Sequence, residues 1–153
     1  MKELTVKYQQ FDSWKSLSDG DQSLVEAAYE ISKNAYAPYS KFLVGAAVLL
    51  ENGEVILGSN QENIAFPSGL CAERTALFYA GANFPHLKVM KIAIVAVGDL
   101  VPLDKILSPC GGCRQVMLET EVRQKAPYEV ILVSQNETTI VFSAASDLLP
   151  FAF

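Results

Sequence analysis

The stretch "VMKIAIVAVG", Val89 to Gly98, decides the fold. Its apolar residues run on with no alternation of polar ones, broken only by Lys91. A strand with one wet face alternates; a continuous run marks a strand covered on both faces, which requires layers above and below the sheet. Working outward, "KFLVGAAVLLENGEVILGSN" (41–60) reads as a β-hairpin, with two apolar runs around Asn52-Gly53, a dipeptide suited to a tight primed turn. "YEVILVS" and "TTIVFS", around Gln135-Asn136-Glu137, supply two more strands.

Helical segments separate these strands. "SDGDQSLVEAAYEISKNAYAPYS" opens with capping residues and places Leu24, Ala27, Ala28, Ile31 and Ala35 at helical spacing before Pro38, predicting a helix over residues 20–36. "CAERTALFYAGAN" and "CGGCRQVMLETEVRQ" read as two further helices, each headed by a cysteine, and "AASDLLPFAF" as a short helical tail. Helix, two strands, helix, strand, helix, two strands predicts an α/β fold: a three-layer α/β/α sandwich with a mixed five-stranded sheet. Residues 1–17 read as an N-terminal arm, with "ELTVKY" weakly strand-like and Trp14 the only tryptophan; residues 18–153 form one catalytic domain. For Trp14 the sequence leaves three roles open: padding a subunit interface, capping the sheet, or remaining loose.

At 153 residues the chain is long enough to bury one core without staples. Half its residues are hydrophobic and the mean hydropathy is +0.21, which suits either buried subunit interfaces or one thoroughly packed core. The net charge of −5 disfavours nucleic acid as a partner, whose binding relies on a basic footprint. No apolar stretch approaches the ~18 residues of a membrane span, and the N-terminus lacks the pattern of a secretory signal. The cytoplasm is the expected compartment.

The cysteines number three, an odd count that points to a metal or to catalysis rather than to a disulfide framework. Cys110 and Cys113 stand at i and i+3, on one side of a helix that starts at Cys110; Cys71 heads another helix. Helix N-termini lower thiol pKa values, so two of them aimed at each other would gather three thiolates. Three sulfur ligands on tetrahedral zinc leave one position open, the arrangement of a catalytic rather than a structural site. His86, the only histidine, sits in "NFPHLK" and reads as a solvated loop residue, not a fourth ligand. Glu73 follows Cys71 by two positions, near the metal without having to bind it, where a carboxylate can move protons between water and substrate. Zinc with three thiolates is net negative; Arg74 and Arg114, each beside a motif, are candidates to donate hydrogen bonds to the sulfurs.

With these residues in hand, the chain resembles the small, homotetrameric, zinc-dependent cytidine deaminases of pyrimidine salvage, a likeness running from about residue 22 to the end. It is carried by "AYAPYSKFLVGAAV", "NQEN", "CAERTAL", "SPCGGCRQVM" and "LLPFAF". CxE followed by PCxxC is the general mark of zinc deaminases; the other motifs are narrower. The resemblance implies that Cys71, Cys110 and Cys113 bind one zinc per subunit and that Glu73 shuttles the proton. It further implies that Asn60 and Glu62 hold the ribose hydroxyls and Phe42 lines the nucleoside pocket. The Ala72 backbone would meet the base carbonyl and the Ser108 carbonyl the 4-amino group. Phe153 would stack on the base in a neighbouring subunit. The implied reaction is hydrolysis of cytidine and 2′-deoxycytidine to the uridines and ammonia, with no organic cofactor. Two further readings differ: a deaminase of a related aminopyrimidine nucleoside such as blasticidin S, which should lack the ribose-reading "NxEN", and a non-catalytic zinc module, which should have a fourth ligand and no task for Glu73. Phe66 stands where the family commonly has tyrosine, and Phe153, expected to stack across an interface, is also the last residue.

Overall fold

A computed structural model describes residues 1–153. Strands β1 (Gln9–Phe11), β2 (Leu43–Leu50), β3 (Val55–Ser59), β4 (Val89–Val97), β5 (Glu129–Val133) and β6 (Thr139–Phe142) form one sheet in the order β1-β6-β5-β4-β2-β3. Only the β4–β5 pair is parallel, so the sheet is mixed. Helices α1 (Asp19–Ser32), α2 (Ala72–Asn83) and α3 (Gly111–Gln124) cover it from both sides.

The continuous apolar run becomes β4 because successive side chains feed two cores. Ala93 and Val95 pack with Leu24, Val25 and Ala28 of α1. Ile92 and Ile94 pack on the opposite face with Ala76 and Leu77 of α2 and Met117 of α3. Lys91 is tolerated in the run because its ammonium ion-pairs with Asp21 of α1 and Glu129 of β5, both at 2.7 Å. No helix is long and apolar enough to cross a membrane.

The sheet has six strands rather than the five expected, and the sixth comes from the arm. The strand-like pattern at residues 3–8 is not where it forms; Gln9–Phe11 pair antiparallel with Val141–Thr139 of β6. Side chains on either side of β1 fix the arm there. Tyr8 lies 5.7 Å from the Phe142 ring, Trp14 lies 6.1 Å from Tyr29 of α1, and Ser13 and Lys15 both donate to the Glu137 carboxylate. Weak β pattern in three residues carries little signal by itself; the open edge of β6 completes it.

Helix α1 ends at Ser32, four residues before the expected limit. Beyond it Tyr36 leaves helical geometry to exchange backbone hydrogen bonds with Asn60 and Glu62, a long-range pairing that overrides local periodicity. The hairpin forms as expected, but with a longer loop than a two-residue turn. The Gly53 N–H donates to the Leu50 carbonyl and the Leu50 N–H to the Glu54 carbonyl, with Gly53 at φ +88°.

Tyr128, 2 % exposed, donates its hydroxyl to the Met117 carbonyl of α3 at 2.8 Å. Burial, with the Glu121 carboxylate adding to it, pushes this phenol above the usual tyrosine range. Both states are neutral below the unfolded value of about 10; above it the unfolded chain gives up the proton while the folded chain keeps it, so stability falls as pH rises. Tyr128→Phe is expected to cost about 1 kcal/mol at pH 8 through the lost hydrogen bond. That deficit should shrink by about 1.4 kcal/mol per pH unit above about 10 and vanish near pH 11, as measured by urea unfolding of both proteins. A deficit unchanged at pH 11 would contradict the buried-phenol account.

Candidate active site

Two helix N-termini meet to build the site. Cys71 is the N-cap of α2 and Cys110 the N-cap of α3, both in extended backbone geometry. Neither thiol is used in a side-chain capping bond, which leaves both sulfurs free. Cys113 sits one turn into α3, fully buried. The Cys110 and Cys113 sulfurs are 3.4 Å apart, those of Cys71 and Cys110 3.9 Å, and all three lie within 4.8 Å of one another. Three sulfurs on tetrahedral zinc at its usual bond length stand about 3.8 Å apart, so the donor set fits zinc in chemistry and in spacing. No histidine or carboxylate joins them as a fourth ligand. His86 is exposed beyond the far end of α2, where with Lys88 and Arg123 it borders a separate 200 Å³ cavity.

The seat of α2 is set by Gly58 of β3. A Cβ there would lie 2.5 Å from the Ala72 carbonyl oxygen and 2.6 Å from the Ala76 nitrogen, so only glycine lets the first turn of α2 approach the sheet this closely. That turn carries Glu73, only 4 % exposed. Burial pushes the Glu73 carboxyl up to about 7, with the negative charge of Cys71 adding to the rise; hydrogen bonds from its own backbone N–H and from Cys113 act the other way. This value belongs to the metal-free cluster. The Cys71 thiol is held below its ordinary value by hydrogen bonds from Cys113 and Arg74 against the opposing effect of burial, while Cys113 is pushed up beside it.

The two arginines differ. Arg74 donates from Nη2 to the Cys71 sulfur at 3.6 Å, while its buried Nε has no hydrogen-bond partner. Arg114 bonds oxygens instead of sulfur: its Nε donates to the Pro109 carbonyl, Nη1 to the Leu148 carbonyl and Nη2 to the Ser108 hydroxyl. The expectation of a sulfur contact from Arg114 is therefore corrected. The two guanidinium groups are the same; Arg114 has the Pro109 and Leu148 carbonyls and the Ser108 hydroxyl within reach, and these oxygens accept hydrogen bonds more strongly than a thiol.

A cavity of about 460 Å³ opens beside the cluster, lined by Cys71 and Arg74 at one end and by Asn60 and Glu62 among others at the other. That volume lies within the usual range for small-molecule sites, about 300–1,000 Å³. Glu62 Oε2 accepts from the backbone N–H groups of Tyr39 at 2.9 Å and Ser40 at 3.2 Å, leaving Oε1 free of protein donors. The Ser40 side chain and these two amides hold the Glu62 carboxyl below its ordinary value, against a smaller opposing effect of burial. Asn60 is partly committed, accepting from Val44 N–H at 2.8 Å and donating to the Phe42 carbonyl at 2.9 Å. One amide hydrogen and one lone pair remain for a ligand.

The other expected contacts are less closely gathered. Phe42 is half-buried with its ring against Gly98 and does not line this cavity. Ala72 is fully buried at the start of α2. Ser108 is exposed just before Cys110, on a loop tied down by the Leu107 N–H to the Ser134 hydroxyl and the Gly98 N–H to the Gln135 side chain. Phe153 is fully exposed beside Gly111 and Gln115 of α3, outside the cavity of its own chain. Tyr39, whose backbone and ring both serve the cavity, was missed by sequence reasoning. Its ring makes an edge contact with Phe66 at 6.0 Å, and both line the cavity. The signal lay in "PYSKF", but nothing local says that the turn folds back onto a glutamate 23 residues away.

The cytidine and deoxycytidylate deaminase zinc-binding region matches residues 18–128. The chain belongs to that family. Cytidine deaminases of Halalkalibacterium halodurans and Sporosarcina psychrophila are each 39 % identical to it over 132 residues, covering 86 % of this chain and 92 % and 90 % of theirs. The crystal structure of cytidine deaminase from Burkholderia pseudomallei superposes with a TM-score of 0.72 at 39 % identity, covering 90 % of this chain and 100 % of that one. Cytidine deaminase from Mycobacterium tuberculosis gives 0.64 at 31 % identity, covering 86 % and 95 %. The α/β sandwich and the three-cysteine cluster are thus those of a zinc-binding deaminase family.

Proposed function

We propose that the protein is a cytidine deaminase, hydrolysing cytidine and 2′-deoxycytidine to the corresponding uridines and ammonia in pyrimidine salvage. The observation that carries this is a buried Glu73 beside a three-thiol cluster, one of whose members, Cys71, lines a nucleoside-sized cavity. Cys71, Cys110 and Cys113 would hold zinc, which would supply the Lewis acidity that makes water a nucleophile near neutral pH. Glu73 takes the proton from that water and places it on N3 of the cytosine ring. Water oxygen adds to C4; Glu73 then passes the second proton to the 4-amino nitrogen, the C4–N bond breaks, and ammonia leaves. A buried carboxylate in the first turn of α2, beside the cluster, is placed both to accept and to return a proton.

Substrate contacts follow in the same reading. Glu62, held ionised with one oxygen free, accepts from the ribose 3′-hydroxyl, and the uncommitted hydrogen of Asn60 donates to it. The Ala72 backbone meets the base carbonyl, and the Ser108 carbonyl, which accepts no hydrogen bond from the protein, receives the 4-amino group; the aromatic rings lining the cavity are those of Tyr39 and Phe66 rather than Phe42. Phe153 completes the pocket of a neighbouring subunit in a homotetramer, a state that the exposed Phe78, Tyr79 and Val122 on α2 and α3 favour. Three free thiols suit a reducing compartment, the cytoplasm. A structural zinc module is disfavoured because it would need a fourth ligand.

The test follows ultraviolet absorbance of cytidine mixed with the zinc-loaded protein, with released ammonia measured in parallel. Loss of the cytidine band with one ammonia per uridine supports the reading. No turnover of cytidine or deoxycytidine by zinc-loaded protein overturns it and turns attention to blasticidin-type substrates.

A further inference from the structure

We infer that Arg114 is a positioning residue that ties the loop presenting Cys110 to the C-terminal segment, so that the seating of that segment and the geometry of the metal cluster are linked. The guanidinium spans two stretches distant in sequence. Nε donates to the Pro109 carbonyl at 2.9 Å and Nη2 to the Ser108 hydroxyl at 2.6 Å, immediately before Cys110; Nη1 donates to the Leu148 carbonyl at 3.1 Å. Its backbone N–H also bonds the Cys110 carbonyl at 3.0 Å. Cys110 is exposed and makes no side-chain cap of its own, and in the two residues before it the Arg114 guanidinium supplies the side-chain hydrogen bonds.

The other half of the linkage lies two turns along α3. Glu121 Oε2 accepts from the backbone N–H groups of Ala145 at 2.6 Å and Ser146 at 3.3 Å. Residues seven apart share a helix face. Helix α3 therefore grips the short 3₁₀ helix Ala145–Leu148 at both ends, a carboxylate on its N–H groups and a guanidinium on its last carbonyl, the polarity that a helix dipole favours. Ala145 and Leu148 are buried in the same core as Met117 of α3, which makes the grip a fixed one. The residues after Leu148 leave from this point and lie over the first turn of α3. A five-donor planar fork is the group able to hold both segments at once; lysine is not.

The inference rests on zinc as the ligand of the cluster, and its test needs no nucleoside, so it stands or falls apart from the deaminase assignment. Zinc-loaded wild type, Arg114→Gln, Arg114→Lys and Glu121→Ala are mixed with excess chromogenic chelator, and zinc release is timed. The cobalt(II)-substituted proteins are compared by absorption spectrum, and proteolytic loss of residues after Leu148 is followed by mass spectrometry. Arg114→Gln is expected to release zinc about ten-fold faster or more, the usual scale for a group that orients metal ligands, with Arg114→Lys in between. The discriminating variant is Glu121→Ala, which removes the acceptor for the Ala145 and Ser146 N–H groups and touches neither Ser108, Pro109 nor any cysteine. It is expected to hasten loss of the tail, speed zinc release several-fold and perturb the cobalt spectrum. Should Arg114→Gln fail to fold, Glu121→Ala carries the test. Unchanged zinc release and cobalt spectrum in any folded variant of this set overturns the inference, because a purely structural role would lower thermal stability and leave the cluster as it was.

Discussion

Glu73→Gln is expected to keep its zinc and lose about 10³-fold in the rate of cytidine turnover. Glutamine has nearly the same size and shape, so the buried site beside Ala72 and Ala76 needs no repacking. The amide cannot accept the proton that the carboxylate carries from water to ring nitrogen and then to the leaving amine. Zinc should stay because the ligand set is three thiols, none of which the substitution changes. Metal content by atomic emission and turnover by ultraviolet absorbance are measured on the same sample. A zinc-loaded variant retaining a tenth or more of the parent rate would remove Glu73 from the proton path. A variant lacking zinc would instead show that the carboxylate supports the cluster.

Gly45→Ala is expected to be the most damaging single-methyl change in the fold. Gly45 lies in β2 under α1, and a Cβ built there overlaps the Ala28 carbonyl oxygen and falls 2.9 Å from its carbon. The obstacle is helix backbone rather than the end of a flexible side chain, so α1 has to move away from the sheet. Leu24, Val25 and Ala28, which pack on Ala47, Ala93 and Val95, move with it. The cost is expected to be about 3 kcal/mol or more, at the upper end for overpacked cores, lowering the melting temperature by about 10 °C. Gly20→Ala is the control: nothing lies within 4 Å of its Cβ position, near the exposed start of α1, and alanine there should be neutral or slightly stabilising. Equal melting temperatures for the two variants would show that α1 is not seated on Gly45.

Much of the site is legible in short stretches. The "CAERTAL" and "SPCGGCRQVM" motifs place cysteines at helix starts because capping geometry and i, i+3 spacing are local properties. Gathering the two starts into one cluster needs the sheet between them, and the apolar run Val89–Val97 already announces a strand with layers on both faces. Glu73 is legible for the same reason, since it is the second residue of a helix whose start is fixed by Cys71. Less local features came out differently. Helix α1 gives up residues 33–36 to a pairing with residues 60–62, and the arm adds a sixth strand through only three residues.

By itself, then, the sequence determined the layered α/β plan and the three cysteines whose cluster fits zinc, and it singled out Glu73 as the proposed proton carrier, all written in periods of two and near four residues or in motifs a few residues long. Only the tertiary structure decided what Arg114 holds, how Asn60 is occupied, where Glu62 finds its donors and which edge the arm completes. The physical reason is common to these cases. Their partners are largely backbone N–H and carbonyl groups, which nearly every residue carries, so no side-chain pattern distinguishes the one that the fold brings within reach.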